Sequence, residues 1–255
     1  MRIVSWNVNG LRSRLQSGFF NVTEDLRPDI LLLQEIRCRE QDLKLLEKSW
    51  ESKDIFINES KRVGYSGVCV CSYPDVNRVI YGIKDDLDFE GRVLTSISKD
   101  LAIVNIYAPN CGRDYERSKE RATWDEHLLN FIKELMKDYY VIVMGDFNVV
   151  HYPIDYYLSE GKVLVKKEPS NEKKTLNKLV EMGFTDAFRK IYPEKREYTY
   201  WSNFGKSSDL NKGWRIDYSF VDNRIFHLVQ DCKMFRDRVG SDHCPIILDI
   251  DYQPW

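Results

Sequence analysis

Short runs of apolar and β-branched residues recur along the chain: Arg2–Val8, Asp29–Gln34, Gly67–Ser72, Arg92–Ser98, Leu101–Ala108, Val141–Gly145, Tyr198–Ser202, Ile216–Val221, Gln230–Arg236 and Ile246–Tyr252. Their length and composition predict strands, and those that are apolar throughout predict central strands covered on both faces. Three other stretches carry a helical period. Asn21–Leu26 runs into Arg27-Pro28, where proline ends a helix. Glu116–Lys137 places Trp124, Leu128, Phe131 and Leu135 three and four positions apart, an amphipathic stripe. Thr175–Glu181 stops ahead of Gly183. Strands outnumber helices in both halves of the chain, so the expected fold class is α/β, a four-layer α/β sandwich of two packed mixed β-sheets flanked by helices. With no Pro/Ser/Gly linker and no repeat at the sequence level, residues 1–255 are expected to form a single domain. Charged stretches such as Gly161–Lys178 read as surface loops.

Composition adds bounds to this picture. A hydrophobic fraction of 43% with 13% aromatic residues is ample for a core and excludes a disordered chain. There is no apolar run of membrane-spanning length and no leader-like start, since Met1 to Asn9 enters a strand pattern directly. A soluble protein is expected, with no membrane partner, in the cytoplasm or nucleoid (the nucleus in a eukaryote). The cysteines Cys38, Cys69, Cys71, Cys111, Cys232 and Cys244 form no C-x-x-C pair. They read as small buried residues, with Cys69 and Cys71 on one face of a strand. A net charge of −2 argues against non-specific coating of nucleic acid, which depends on phosphate neutralisation, but a local basic face remains compatible with it.

Chemistry-bearing residues gather at strand ends. In Ser5-Trp6-Asn7-Val8-Asn9-Gly10, Asn7 and Asn9 face one side and Gly10 permits a turn, so two amides can meet a phosphate oxygen or a metal-bound water; an Asx-type turn explains the same residues. Leu31-Leu32-Leu33-Gln34-Glu35 puts a carboxylate just past an apolar strand, where α/β folds hold catalytic groups and where a hard cation such as Mg²⁺ finds oxygen, although a capping or surface glutamate reads equally well. Val141-Ile142-Val143-Met144-Gly145-Asp146-Phe147-Asn148 repeats that logic with an Asp and an Asn two apart. Gly213-Trp214-Arg215-Ile216-Asp217-Tyr218 and Gly240-Ser241-Asp242-His243-Cys244-Pro245 complete the set, and His243 becomes a charged donor if a second carboxylate orients it. Clustered carboxylates need a cation to hold them together, which points to metal-assisted hydrolysis. The chain lacks a Walker lysine motif, a G-x-G-x-x-G loop and a G-x-S-x-G elbow, so nucleoside triphosphate, dinucleotide and serine-hydrolase chemistry are disfavoured.

Taken together, Ser-Trp-Asn-Val-Asn-Gly, Leu-Gln-Glu, Gly-Asp-Phe-Asn and Ser-Asp-His-Cys-Pro resemble the exonuclease/endonuclease/phosphatase superfamily from Ile3 to Pro245. Gly64-Tyr65-Ser66-Gly67-Val68, Glu90-Gly91-Arg92, Tyr107-Ala108-Pro109-Asn110, Tyr198-Thr199-Tyr200-Trp201-Ser202 and the Trp214 segment resemble its exonuclease III-type abasic (AP) endonuclease branch. The resemblance implies a DNA repair endonuclease that hydrolyses the phosphodiester 5′ to an abasic site in duplex DNA, with 3′–5′ exonuclease and 3′-repair activity as companions. It implies Mg²⁺ (or Mn²⁺) held by Glu35 with Asn7, Asn9 and Asp242. Asp146 would activate water, Asn148 would hold the water or the phosphate, and His243, oriented by Asp217, would donate to the phosphoryl oxygen beside Tyr107. Tyr65, Arg92, Asn110, Arg113 and Lys212 would meet DNA, and Tyr200, Trp214 and Ile216 would form the apolar pocket for a flipped-out sugar. Extrusion is cheapest where a base is missing, which suits such a pocket. The expected partner is duplex DNA with abasic or blocked 3′ sites, engaged by a monomer.

Two departures from the family pattern stand out. The chain after Asp155 does not match the asparagine-containing Pro-Lys-x-Asn loop usual in the family, and Asn9 stands where some relatives carry aspartate. The competing readings are another phosphoesterase of the superfamily, acting on phosphoinositides or RNA tails through the same metal core, and a non-catalytic scaffold.

Overall fold

A computed structural model of the chain describes residues 1–42, 54–83, 89–112, 115–157, 170–202, 207–236 and 240–253, without the side chains of 170–172. Among the described residues, twelve strands form two six-stranded sheets. The first runs in the order β11 (Val229–Met234), β12 (Ile246–Ile250), β1 (Arg2–Asn7), β2 (Ile30–Gln34), β4 (Val68–Ser72) and β3 (Asp54–Asn58). The second runs β5 (Arg78–Tyr81), β6 (Val93–Ser98), β7 (Leu101–Tyr107), β8 (Tyr140–Asp146), β10 (Asp217–Asp222) and β9 (Phe184–Asp186). Each sheet has one parallel pair at its centre, β1 with β2 and β7 with β8, and antiparallel pairs on either side. The two ladders therefore share one pattern, although the sequence shows no repeat.

Parallel neighbours need a crossover, and helices supply it. Between β1 and β2 lie α1 (Leu11–Gln16) and α2 (Phe19–Leu26); between β7 and β8 lies α3 (Ser118–Asp138). Two further helices, α4 (Ser170–Glu181) and α5 (Ala187–Ile191), flank β9. Strand alternation sorts the core into three layers. In β2, Ile30 and Leu32 face the other sheet, where they meet Ile142 and Met144 of β8. Leu31 and Leu33 face α2, packing with Trp6, Phe19, Val22 and Leu26. On the far side, Val141 and Val143 pack with Trp124, Leu128 and Ile132 of α3 and Leu176 of α4. These layers give the expected four-layer sandwich, and coverage on both faces is why the central strands are apolar throughout.

One polar island interrupts the inter-sheet layer. The Gln34 amide donates to Ser5 Oγ (2.8 Å) and Asn105 Oδ1 (2.7 Å), and the Asn105 amide donates to the carbonyls of Leu33 (3.1 Å) and Cys69 (2.8 Å). These bonds span the two sheets and fix their register next to the strand ends that carry Asn7 and Glu35.

The strands β3, β5 and β9, all of them sheet edges, were not expected: β3 and β5 are short and half exposed, and β9 is only three residues long, so none carries a continuous apolar run. Also not expected were α1, which buries only Leu11, and α5, a five-residue turn whose N-cap Asp186 accepts from the Arg189 amide. Tyr198–Ser202 was expected as a strand and is not one. It is an irregular segment in which Tyr200 makes isolated bridges to Trp214 and His243. The expected surface loop Gly161–Lys178 instead contributes most of α4, and residues 158–169 lie outside the described residues.

Candidate active site

The carboxyl ends of the two parallel pairs converge. Asn7 closes β1 and Glu35 follows β2, while Tyr107 closes β7 and Asp146 closes β8. Local chain geometry makes this possible. At Gly145 φ is +143°, and a Cβ there would sit 2.0 Å from the Ile106 carbonyl oxygen, so only glycine lets β8 reach Asp146 alongside β7. Gly10, at φ +97°, turns the chain after Asn9. Asn9, Glu35, Arg37 and Asn148 are themselves left-handed, with φ of 44°, 53°, 51° and 54°. Such conformations cost ~1–3 kcal/mol in strained cases and persist where the surroundings over-determine them. Here Gly10 N–H bonds to the Glu35 carbonyl (2.9 Å), Ile36 N–H to Gly67 (3.1 Å), and Arg37 N–H to Ser66 (2.8 Å).

A hydrogen-bonded chain of side chains links the two sheets. The buried Asn7 amide donates to Asp146 Oδ2 (2.9 Å) and to Glu35 Oε2 (3.1 Å). Asn7 Oδ1 accepts from Asn9 N–H (3.0 Å), and the Asn9 amide donates to Asp242 Oδ1 (2.8 Å). Ser241 Oγ donates to the Asn7 carbonyl (2.7 Å), and Trp6 Nε1 donates to the His243 carbonyl (3.2 Å). The loop before β12 is thereby tied to β1. His243 Nδ1 bonds to Asp217 Oδ2 at 2.8 Å, which leaves Nε2 directed at Asp146 Oδ2, 3.8 Å away.

Burial sets the protonation states. His243, Asp146 and Asp217 are 4%, 1% and 2% exposed. Burial and then the Asp217 carboxylate push Asp146 up to about 7, against the opposing pull of His243 and the Asn7 hydrogen bond. Burial disfavours a charged His243, but Asp217 and Asp146 outweigh it and lift the imidazole to about 10. Burial, followed by Glu35 and Asp146, raises the Tyr107 phenol well above its ordinary value. At neutral pH the site thus holds an imidazolium beside a carboxylate poised to take a proton.

Above these groups opens a cavity of about 260 Å³, lined by Glu35, Tyr107, Asn110, Asp146, Asn148, Tyr200, Trp214, Ile216, Asp242 and His243. The lining is polar on one side and apolar on the other. Tyr200 packs between His243 (4.9 Å between ring centroids) and Trp214 (5.7 Å), and Tyr156 stacks on Trp214 at 5.6 Å. Thr199 Oγ1 accepts from the amides of both Ile216 and Asp217 (3.1 Å each), holding wall and histidine partner in one register.

All ten lining residues belong to the set singled out from sequence; of the rest, those that are described lie around them. Asn7 and Asp217 are buried beneath the cavity, and Asn9 braces Asp242 from outside the lining. Tyr65 sits farther out, its hydroxyl accepting from Arg92 and Arg117 (3.3 Å each). Lys212 is exposed, with its ammonium over the Tyr157 ring. Arg92 corrects the expectation of a phosphate contact. It is 3% exposed and bonded to Glu90 and the Tyr107 carbonyl, so it supports Tyr107 from behind and presents no surface to DNA. Arg113 lies outside the described residues.

Several participants were not anticipated. Arg37 pairs with Glu35, Ser241 and Thr199 bond the backbone of site segments, and Tyr156 backs Trp214. Of these, Ser241 and Thr199 stood inside quoted motifs, Arg37 lay two residues past Leu-Gln-Glu, and Tyr156 stood in none.

Asp146, Asp217 and His243 offer ligand atoms within 4.8 Å of one another, a grouping that could hold a metal ion. Their proximity is already accounted for by an imidazolium between two carboxylates, and all three are buried. Glu35 and Asp242 differ: both line the open cavity with hard oxygen donors, each steadied by an asparagine amide, which is the donor chemistry a small divalent cation requires. The residues present therefore fit a cation on the Glu35–Asp242 side.

Comparison with known proteins gives the same picture. A profile of the Endonuclease/Exonuclease/phosphatase family matches residues 4–243. The chain is 35% identical to an exodeoxyribonuclease of Bacillus subtilis over 98% of its own length and 100% of that protein. It is 34% identical to the DNA repair nuclease APEX1 of Danio rerio, covering 97% of this chain and 81% of the relative. Among solved structures, the AP endonuclease LMAP from Leishmania major superposes with a TM-score of 0.88 at 26% identity, covering 99% of this chain and 88% of that one. With the family profile matched over residues 4–243 and a 35% identical relative covered along its whole length, the chain belongs to the Endonuclease/Exonuclease/phosphatase family.

Proposed function

We propose that the chain is a DNA repair nuclease that hydrolyses the phosphodiester 5′ to an abasic site in duplex DNA. The carrying observation is the cavity itself, in which an Asp146–His243 pair faces an uncharged wall of Tyr200, Trp214 and Ile216 and, among the described residues, no lysine or arginine lines it. A base-less sugar is uncharged and fits such a wall, whereas an inositol phosphate would call for cationic lining. The names of the relatives, an exodeoxyribonuclease and an AP endonuclease, support the same reading.

In this reading Asp146 accepts a proton from the attacking water, and Asn148, held by its bond to the Ala108 carbonyl (2.8 Å), orients that water or the phosphate. His243, protonated and aligned by Asp217, donates a hydrogen bond to the phosphoryl oxygen that gains charge, beside the Tyr107 hydroxyl. Asn7 steadies Asp146 by donating to the oxygen, Oδ2, that faces His243. A Mg²⁺ ion bound by Glu35 and Asp242 would supply Lewis-acid stabilisation of the phosphoryl group. The products are a 3′-hydroxyl and a 5′-deoxyribose phosphate.

The test is a labelled duplex with one tetrahydrofuran abasic analogue, incubated with Mg²⁺ or with EDTA. A single cut 5′ to the analogue, dependent on Mg²⁺, supports the reading. Release of phosphate from phosphoinositides or shortening of RNA tails, with the duplex intact, would overturn it.

A further inference from the structure

Arg121 is among the largest fully buried side chains of the protein, 1% exposed, and it lies on α3 with no part in the cavity. A buried guanidinium is costly unless every branch is engaged. Here Nε donates to Asp125 Oδ1 (2.8 Å) one helical turn on, which neutralises the charge. The other two branches leave the helix. Nη1 donates to the Pro109 carbonyl (2.7 Å), and Nη2 donates to the Phe147 carbonyl (2.9 Å). Each carbonyl immediately precedes an asparagine of the cavity, Asn110 in one loop and Asn148 in the other. Those two side chains also meet, with the Asn110 amide 3.4 Å from Asn148 Oδ1, and Asn148 bonds across to the Ala108 carbonyl of the first loop.

We propose that Arg121 is a positioning residue, a planar staple that sets the spacing between the Asn110 and Asn148 loops and through them the alignment of the water and phosphate at Asp146. The chemistry of the fork carries the argument. A guanidinium presents two N–H groups in fixed geometry to two acceptors at once, whereas an ammonium is a point donor on a flexible stem. Lysine at 121 would keep the charge, the ion pair with Asp125 and the burial of the stem, yet would not hold both carbonyls at a fixed separation. Asp125 provides the contrast, since its carboxylate neutralises the charge at Nε while the two loop carbonyls accept from Nη1 and Nη2. The assignment rests on the nuclease reading for its effect on turnover, but the stapled geometry exists without it.

The experiment compares Arg121→Lys and Asp125→Asn with the unmodified protein. Arg121→Lys should lower kcat on the tetrahydrofuran duplex on the order of tenfold to a hundredfold, the scale for small misplacement of reacting groups. Its KM and the limbs of its pH profile should stay in place. Asp125→Asn at comparable loss of melting temperature should lose far less. In an Asn148→Ala background the Arg121→Lys effect should largely vanish, because both changes act on one element. A second readout needs no activity: in nitrogen-15 spectra the side-chain amide signals of Asn110 and Asn148 should shift or broaden in Arg121→Lys, while that of Asn7 stays fixed. Additive losses with Asn148→Ala, or unchanged Asn110 and Asn148 amides, would overturn the staple. Absence of any duplex cutting by the unmodified protein would overturn the nuclease reading instead, and the amide signals alone would then decide on Arg121.

Discussion

His243 is held by Asp217 at 2.8 Å through one ring nitrogen and faces Asp146 at 3.8 Å through the other, so one imidazolium sits between two buried carboxylates. The arrangement couples the titration of Asp146 to that of His243, and its consequences are measurable.

The pH dependence of turnover should be bell-shaped. Activity requires Asp146 ionised and His243 protonated, so it should rise as pH passes about 7 and fall as pH passes about 10. Asp217→Asn removes a charge that raises both values. Both limbs should therefore move to lower pH together, and a profile in which the limbs move apart would contradict the coupling. The measurement is kcat against pH at saturating Mg²⁺.

Removal of either proton-handling group should be severe. Asp146→Ala and His243→Ala should each cost at least ~10²-fold in kcat, the low end for a positioned proton-transfer group. Turnover within a few-fold of the unmodified protein in both variants would remove Asp146 and His243 from the chemistry.

Cation binding should depend on the asparagine that braces a carboxylate. Asn9 donates to Asp242 at 2.8 Å, and Asn9→Ala should weaken Mg²⁺ binding by about 10–100-fold, the range seen when a partner that orients a ligand is lost. Titration of the melting temperature with Mg²⁺ would report this independently of cutting. An unchanged titration midpoint would place the cation away from Asp242.

The apolar wall should govern selectivity. Trp214 is clamped between Tyr156 and Tyr200, and Trp214→Ala opens that side of the cavity. The ratio of kcat/KM for abasic over undamaged duplex should fall by about tenfold, a typical worth for apolar pocket contacts. An unaltered ratio would mean that the wall does not read the sugar.

Stability should hinge on a second buried guanidinium. Arg215, fully buried, makes paired bonds to Asp155 (2.9 and 2.8 Å) and to Asp186 (3.1 and 2.6 Å). Arg215→Ala leaves two buried carboxylates without their cation and should cost about 3–5 kcal/mol in urea unfolding. A loss below 1 kcal/mol would show that Arg189, which also pairs with Asp155, suffices.

The sandwich and the strand-end residues Glu35, Asp146 and Asn148 were legible from sequence for a common reason, whereas Tyr107, Asn110, Tyr200, Trp214 and Ile216 were reached only through the family resemblance. Central strands such as Leu31–Gln34 and Val141–Gly145 are apolar on both faces, and the polar residue that follows each one breaks that pattern at the strand end where the chemistry sits. The edges β3, β5 and β9 lacked such contrast. The braces were also hidden, because Arg121 reaches carbonyls 12 and 26 positions away and Arg215 reaches Asp155 60 positions away. Nothing local in α3 or in the Trp214 segment marks those long-range partners. Arg92 shows the complementary failure, in which a basic residue in a DNA-associated motif proved to be a buried support for Tyr107.

The shared strand pattern of the two sheets has a topological consequence. β12 lies beside β1, and the Met1 ammonium donates to the Ile250 carbonyl at 2.8 Å. Joined across that seam, β11, β12 and β1 to β4 would form one continuous run and β5 to β10 another, each a complete ladder. Neither run contains the chemistry, because Asn7 and Glu35 belong to one while Tyr107 and Asp146 belong to the other. The active site is built like the interface of a dimer folded into a single chain. A circularly permuted protein opened between β4 and β5 would keep every ladder bond, and would stay active only while the two faces remain in register at Asn7 and Asp146.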